Sequence, residues 1–255
     1  MIATACATTL SSCTGVNKET GKLGNSSPKA RKIACFLSKF PYVRGMGLSG
    51  SLLKEFADDK SDINFFIITR KDRLWIARTI MHCFKKFTFI VNRQHYFCMN
   101  YYVDEAMLEI REKNIYTATG VVTLMPCEGK AAFKGFYAAN SWTHSLLPDH
   151  SGKAGSIYES RQSIFQALVE AALNNVAGNR LEALLIRITS RRWSEKTKRE
   201  KLNKRGIVMS MQATRHFAKP CPGFFQDRLL QLYTIKCGEV IRLYENILHA
   251  HLLNP

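Results

Sequence analysis

Apolar residues recur along this chain with two different periods, and the changes of period mark its elements. Ile33, Leu37 and Phe40 stand three or four apart, which predicts a helix opening at Ser26-Ser27-Pro28 with one face toward a core. Tyr42 to Leu48 reads as a strand ending at Ser49-Gly50-Ser51, and Leu52 to Ala57 as a short helix leaving that turn. Asp62 to Thr69 is predicted as a strand because its run FFIIT is strongly apolar. Arg73 to Phe87 is predicted helical, since positions 74, 76, 77, 80, 81 and 84 are apolar. His95 to Val103 reads as an aromatic-rich strand. Asp104-Glu105 then makes a turn, and Met107 to Arg111 returns as a hairpin partner. Helix and strand thus alternate, the pattern of an α/β unit.

Beyond about Tyr116 the period is helical. Ala118 to Leu124, Ala131 to Trp142, Ser156 to Asn175 and Arg180 to Arg192 are predicted helices. A last helix, Phe225 to Leu253, follows Pro220-Cys221-Pro222-Gly223. The expected organisation is a mobile polar tail over residues 1–27, an α/β (α+β) domain with a small mixed sheet over 28–125, and a helical part over 126–255. No internal repeat is present. The stretch Arg215-His216-Phe217-Ala218-Lys219-Pro220 is a polar knot that lines a cleft or caps a helix.

Composition narrows the partners. In 255 residues, 46% are apolar and 22% charged, ordinary for a globular chain. Lys and Arg number 37 against 20 Asp and Glu, a formal charge of +17 that favours nucleotides, RNA or an acidic surface. The densest basic run, RRWSEKTKREKLNKR from Arg191 to Arg205, reads either as a solvated face or as a contact for RNA. The eight cysteines form no CxxC pair and no zinc-like Cys/His spacing, so a reduced, cytoplasmic protein is expected. No apolar run approaches the ~18 residues of a membrane span.

The chemistry concentrates in GLSGSLLKEFADDKSDINFFIITRK, Gly47 to Lys71. Gly50 lets a backbone approach a phosphate, and the amides of the following helix N-terminus favour an anion. Ser51 adds a hydroxyl donor, beside Ser49. Asp62 and Asn64 share one face of a strand, so their oxygens point at one spot where divalent ions could bridge to phosphates. Asn64 offers only a neutral carbonyl oxygen, which weakens such a site.

Gly50-Ser51, a ten-residue spacer and Asp62-x-Asn64 on a strand resemble the nucleotidyltransferase superfamily that includes DNA polymerase beta and the minimal nucleotidyltransferases. The longer context SGSL…SDINFFIIT is similar to bacterial nucleotidyltransferase-domain proteins reading SGS…SDIDFFIIT. The resemblance covers residues 28 to about 125. It implies a nucleoside triphosphate held with Mg²⁺ or Mn²⁺, and transfer of its nucleoside monophosphate to an acceptor hydroxyl on RNA or a small molecule. Gly50 and Ser51, with Ser49, would hold phosphates. Asp62 and Asn64 would ligate metal. A third, acidic position on a later strand is also implied. Asn100, Asp104 and Glu109 are its candidates here, Asn100 as a metal ligand and Asp104 as a catalytic residue that would bind a second metal or activate the acceptor. This chain departs from the family at Asn64, so the alternative is a degenerate scaffold that binds nucleotide or RNA without turnover.

Overall fold

The computed structural model describes residues 28–49, 64–90, 97–148, 157, 159, 162–200, 202, 211–220 and 225–253. The chain is mixed α/β with a helical C-terminal part. In order the elements are α1 (Pro28–Leu37), β1 (Val43–Ser49), β2 (Asn64–Thr69), α2 (Leu74–Ile90) and β3 (Cys98–Asp104). Then come α3 (Ile115–Val122), β4 (Met125–Glu128), α4 (Lys130–Ala139), α5 (Thr143–Leu146), α6 (Ile164–Leu173), α7 (Val176–Lys198), β5 (Met211–Ala213), β6 (Phe217–Pro220) and α8 (Phe225–Leu253). The predicted helix over 52–57 lies outside the described residues.

Among the described residues, six strands form one sheet in the order β4-β1-β2-β3-β6-β5. Only β2 and β3 are parallel; the other neighbours are antiparallel. The side chains of β2 alternate between two cores. Phe65 and Ile67 join Leu37, Met46, Leu48, Trp75, Met99 and Trp193 on the face covered by α1, α2 and α7. Phe66 and Ile68 join Val121, Phe133 and Phe136 on the face covered by α3 and α4. A central strand buried on both faces needs no polar alternation, which is why FFII is continuous. Gly47 of β1 is small for a reason: a Cβ there would lie 2.9 Å from the Phe133 ring. Its absence lets α4 lie close against the strand.

Three expectations change. Met107 to Arg111 is not a strand. The Met107 amide donates to the Asp104 carbonyl at 3.1 Å, closing a turn. Asn140 then takes over the backbone of the next residues, accepting from the Ile110 amide at 2.8 Å and donating to the Leu108 carbonyl at 2.9 Å. The antiparallel partner of β3 is instead β6, with Tyr102 opposite Ala218 and Val103 opposite Phe217. Second, the sheet draws β5, β6 and most of β4 from the segment read as the helical part, so its strands come from both sides of residue 125. These strands have three or four residues and show no readable period. Third, the helix expected from Ser156 starts at Ile164, where the Ser163 hydroxyl accepts from the Gln166 amide at 3.1 Å. Asn175 caps α7 in the same way.

Two buried glutamates dock the later helices on the sheet. Glu182 of α7 accepts from the Trp75 and Ile76 amides at 2.7 and 2.9 Å, satisfying orphan donors at the start of α2. Glu170 of α6 accepts from the Tyr42 amide at 2.8 Å and from both terminal nitrogens of Arg44 at 3.0 and 2.6 Å. Burial alone would raise the Glu170 carboxyl, but the bonds from Arg44 and Tyr42 outweigh it and hold it below its ordinary 4.5.

A depressed carboxyl contributes stability that is present above its unfolded value and lost as pH falls through the folded one. Glu170→Ala is therefore expected to cost about 3 kcal/mol at pH 7, because it strands Arg44 and a buried amide. Urea unfolding at pH 7 and pH 3 checks this: the gap between wild type and variant should shrink in acid.

Candidate functional site

Of the residues expected at one site, the described ones fall at two ends of the sheet. At the first end β1 leaves and β2 enters. Ser49, the last residue of β1, lies directly opposite Asn64, the first of β2. Asn64 in turn lies opposite Cys98 on the parallel strand β3. Strand alternation sets Ser49 and Asn64 on the α3/α4 side of the sheet, with Gly47 and Phe66. Both are half-buried. Asn100 occupies a bulge: Met99 pairs with Phe65 and Tyr101 with Phe66, which leaves Asn100 as the extra residue. Lys85 of α2 reaches this end as well, its Nζ 3.9 Å from the Cys98 sulfur. Gly50, Ser51 and Asp62 lie outside the described residues, adjoining Ser49 and Asn64 in sequence.

The run Gly45-Met46-Gly47-Leu48-Ser49-Gly50 also has the spacing of a dinucleotide fingerprint. That fingerprint needs its glycines at a strand-to-helix turn within a βαβ unit. Gly45 and Gly47 lie inside β1, which is antiparallel to both its neighbours. The match is one of letters only.

Asp104 lies at the other end. It is opposite Thr69, five residues along β2 from Asn64 and hence about 17 Å away at ~3.3 Å per residue. This parallel register sets Asp104 apart from Asn64, beside which it was expected. Glu109, the other acidic candidate, is exposed and pairs with Lys113 at 2.6 Å.

Around Asp104 the structure assembles a group that sequence reasoning did not connect. The carboxylate is fully buried. Its Oδ2 accepts from the Asp72 amide at 3.1 Å and its Oδ1 from the Ala106 amide at 3.0 Å. His216, in the turn of the β5–β6 hairpin, sets its Nδ1 3.1 and 2.9 Å from the two oxygens. The Asp104 amide also donates to the His216 carbonyl at 3.0 Å. Asp72 holds a left-handed backbone at φ 56°, and its carboxylate accepts from Arg215 Nε at 2.8 Å. Ligand atoms of Asp72, Asp104 and His216 all lie within 4.8 Å of one another, so the group could hold a metal ion. The polar knot 215–220 was the only sequence signal for it.

His82 sits beside Tyr102, and burial, then Arg78, Lys85 and Lys86, push its imidazole down to about 3. It is neutral near pH 7, as a packing residue should be. His144 is exposed on α5, and His95 lies outside the described residues. Of the basic run, Trp193 is buried against Trp75 at 5.9 Å and under Arg78 at 4.5 Å, while Arg191, Arg192, Lys196 and Lys198 point outward. No helix among the described residues is long and apolar enough to cross a membrane.

No family model, curated protein or solved structure matches the chain.

Asp104→Asn is expected to destabilise the fold by about 2 kcal/mol, because an amide replaces one buried acceptor oxygen with a donor facing backbone N–H. Denaturant unfolding measures that loss.

Proposed function

We propose that this chain is a nucleotidyltransferase-like protein that binds a nucleoside triphosphate with Mg²⁺ at the Ser49–Asn64 end of its sheet. The observation that carries the reading is the register. Ser49 and Asn64 are direct partners, and Gly50, Ser51 and Asp62 lie one or two residues from them in sequence. A phosphate turn and a metal-ligating strand have to meet in that way. The Asn100 bulge on β3 falls at the same end.

In this reading Gly50 and Ser51 bind the β- and γ-phosphates through amides and a hydroxyl. Asp62 holds the metal with its carboxylate, and Asn64 adds a neutral oxygen. Bound Mg²⁺ would neutralise charge developing on the transferred phosphoryl group. The protein's part is to orient the triphosphate and the acceptor hydroxyl. RNA or a small molecule could supply that hydroxyl.

One observation favours the second reading, binding without efficient transfer. Asn64 and Asn100 are both neutral, and Asp104 is held at the far end of the sheet by its own bonds. Metal charge at the nucleotide end then rests on Asp62. A basic surface would in that case serve nucleotide or RNA binding alone.

Calorimetry with Mg·ATP and Mg·GTP, paired with transfer of α-labelled nucleotide, tests both readings. Wild type should bind one triphosphate, and Asp62→Ala should weaken binding by about tenfold or more, ~1.4 kcal/mol. Asn64→Asp should raise transfer by about tenfold or more, the effect of restoring a charged ligand. Absence of binding to either nucleotide would overturn both readings. Full transfer by wild type with no gain in Asn64→Asp would exclude the second.

A further inference from the structure

We propose that Asp72, Asp104 and His216 form a binding site for one divalent transition-metal ion of the zinc type, at the opposite end of the sheet from the nucleotide. The three side chains come from separate parts of the chain: the turn after β2, the end of β3 and the tip of the β5–β6 hairpin. Two carboxylates and an imidazole are the donor set that suits zinc, cobalt or nickel. Magnesium and calcium select oxygen ligands instead.

The distances fit a shared ion. Ligands bonded at about 2.1 Å stand about 3.0 Å apart when adjacent in an octahedron, and somewhat further apart in a tetrahedron. His216 Nδ1 lies 2.9 and 3.1 Å from the Asp104 oxygens. The whole set of ligand atoms spans no more than 4.8 Å.

The surrounding bonds orient the ligands. Two backbone amides, of Asp72 and Ala106, each hold one Asp104 oxygen, and a carboxylate oxygen retains a second lone pair after one such bond. Arg215 fixes Asp72 through Oδ1 and offsets one negative charge. Asp72 and His216 remain partly open to solvent, with side chains 29% and 24% exposed, so an ion can enter and keep water in its remaining positions. Binding requires the Nδ1 proton to leave to solvent, after which that nitrogen donates its lone pair to the ion. The ion would fasten the hairpin at residue 216 to strand ends 112 residues earlier.

The test uses the full-length chain, stripped with a chelator and then titrated with Co²⁺ and Zn²⁺. One cobalt per chain should bind with visible d–d bands, and zinc should displace it while millimolar Mg²⁺ does not. Thermal unfolding should shift upward with zinc. Asp72→Asn and His216→Ala should each weaken zinc binding by about tenfold or more. Asp72 is the safer variant, because its carboxylate is partly exposed and accepts from the exposed Arg215 side chain, and it carries the test should His216→Ala fail to fold. Asp62→Ala, which probes the nucleotide end, should bind zinc like wild type, so the two proposals fail separately. Three results would overturn the assignment: no retained metal, an intense thiolate charge-transfer band showing that cysteines bind it, or unchanged affinity in folded Asp72→Asn.

Discussion

The parallel pairing of β2 with β3 is the constraint on which the rest of this structure depends. Parallel neighbours cannot be joined by a tight turn, so the chain must cross over the sheet, and α2 makes that crossing. The crossing helix covers one face, and α3 and α4 cover the other. Phe65, Phe66, Ile67 and Ile68 are therefore all buried, two into each core. The same register fixes the chemistry of the strand ends. Asn64 begins beside Cys98, and Thr69 ends beside Asp104. One end gathers Ser49, Asn64 and Lys85; the other gathers Asp72, Asp104 and His216. No shared site spans the strand's length.

A second rule runs through the interior. Each buried carboxylate described above takes backbone N–H groups that secondary structure leaves unpaired. Glu182 receives the first amides of α2, Glu170 the amide of Tyr42, and Asp104 the amides of Asp72 and Ala106. A buried acid is costly unless its oxygens are satisfied, and a buried orphan amide is costly unless it finds an acceptor. Bringing the two together removes both penalties. It also ties helices distant in sequence to the sheet, so a chain with few acidic residues uses several of them as internal fasteners. On the surface, α7 displays Arg191, Arg192, Lys196 and Lys198 beside the anchored Trp193.

Much of the framework was legible because its signals are local. The helical spacing of Ile33 and Leu37, the apolar run of β2, the pattern from Leu74 onward and the long final helix all appear where periodicity places them. So does the strand ending at Ser49, one residue from its expected end. The short strands were not legible. Met125–Glu128 contains a proline, and Met211–Ala213 and Phe217–Pro220 are shorter than two full alternations. They are strands because a longer neighbour supplies their hydrogen bonds. Met107 to Arg111 shows the converse: its residues suit a strand, but the Asn140 side chain satisfies that backbone first.

The candidate chemistry divides in the same way. Ser49, Gly50, Ser51, Asp62 and Asn64 stand close in sequence, so their spacing alone suggests phosphate and metal; of these, the antiparallel register of β1 with β2 sets Ser49 opposite Asn64. Asp104 carried a misleading signal, because a carboxylate at a strand end says nothing about which end of the sheet it occupies. That depends on strand direction, which periodicity does not encode. The contact of His216 with Asp104, across 112 residues, depends on β6 pairing with β3. The sequence by itself determined the elements with a strong local period and the Gly-Ser…Asp-x-Asn spacing, since both are short-range properties of the chain. Only the tertiary structure decided strand order, direction and the partners of the buried acids, because those are set by which distant backbone groups remain to be satisfied.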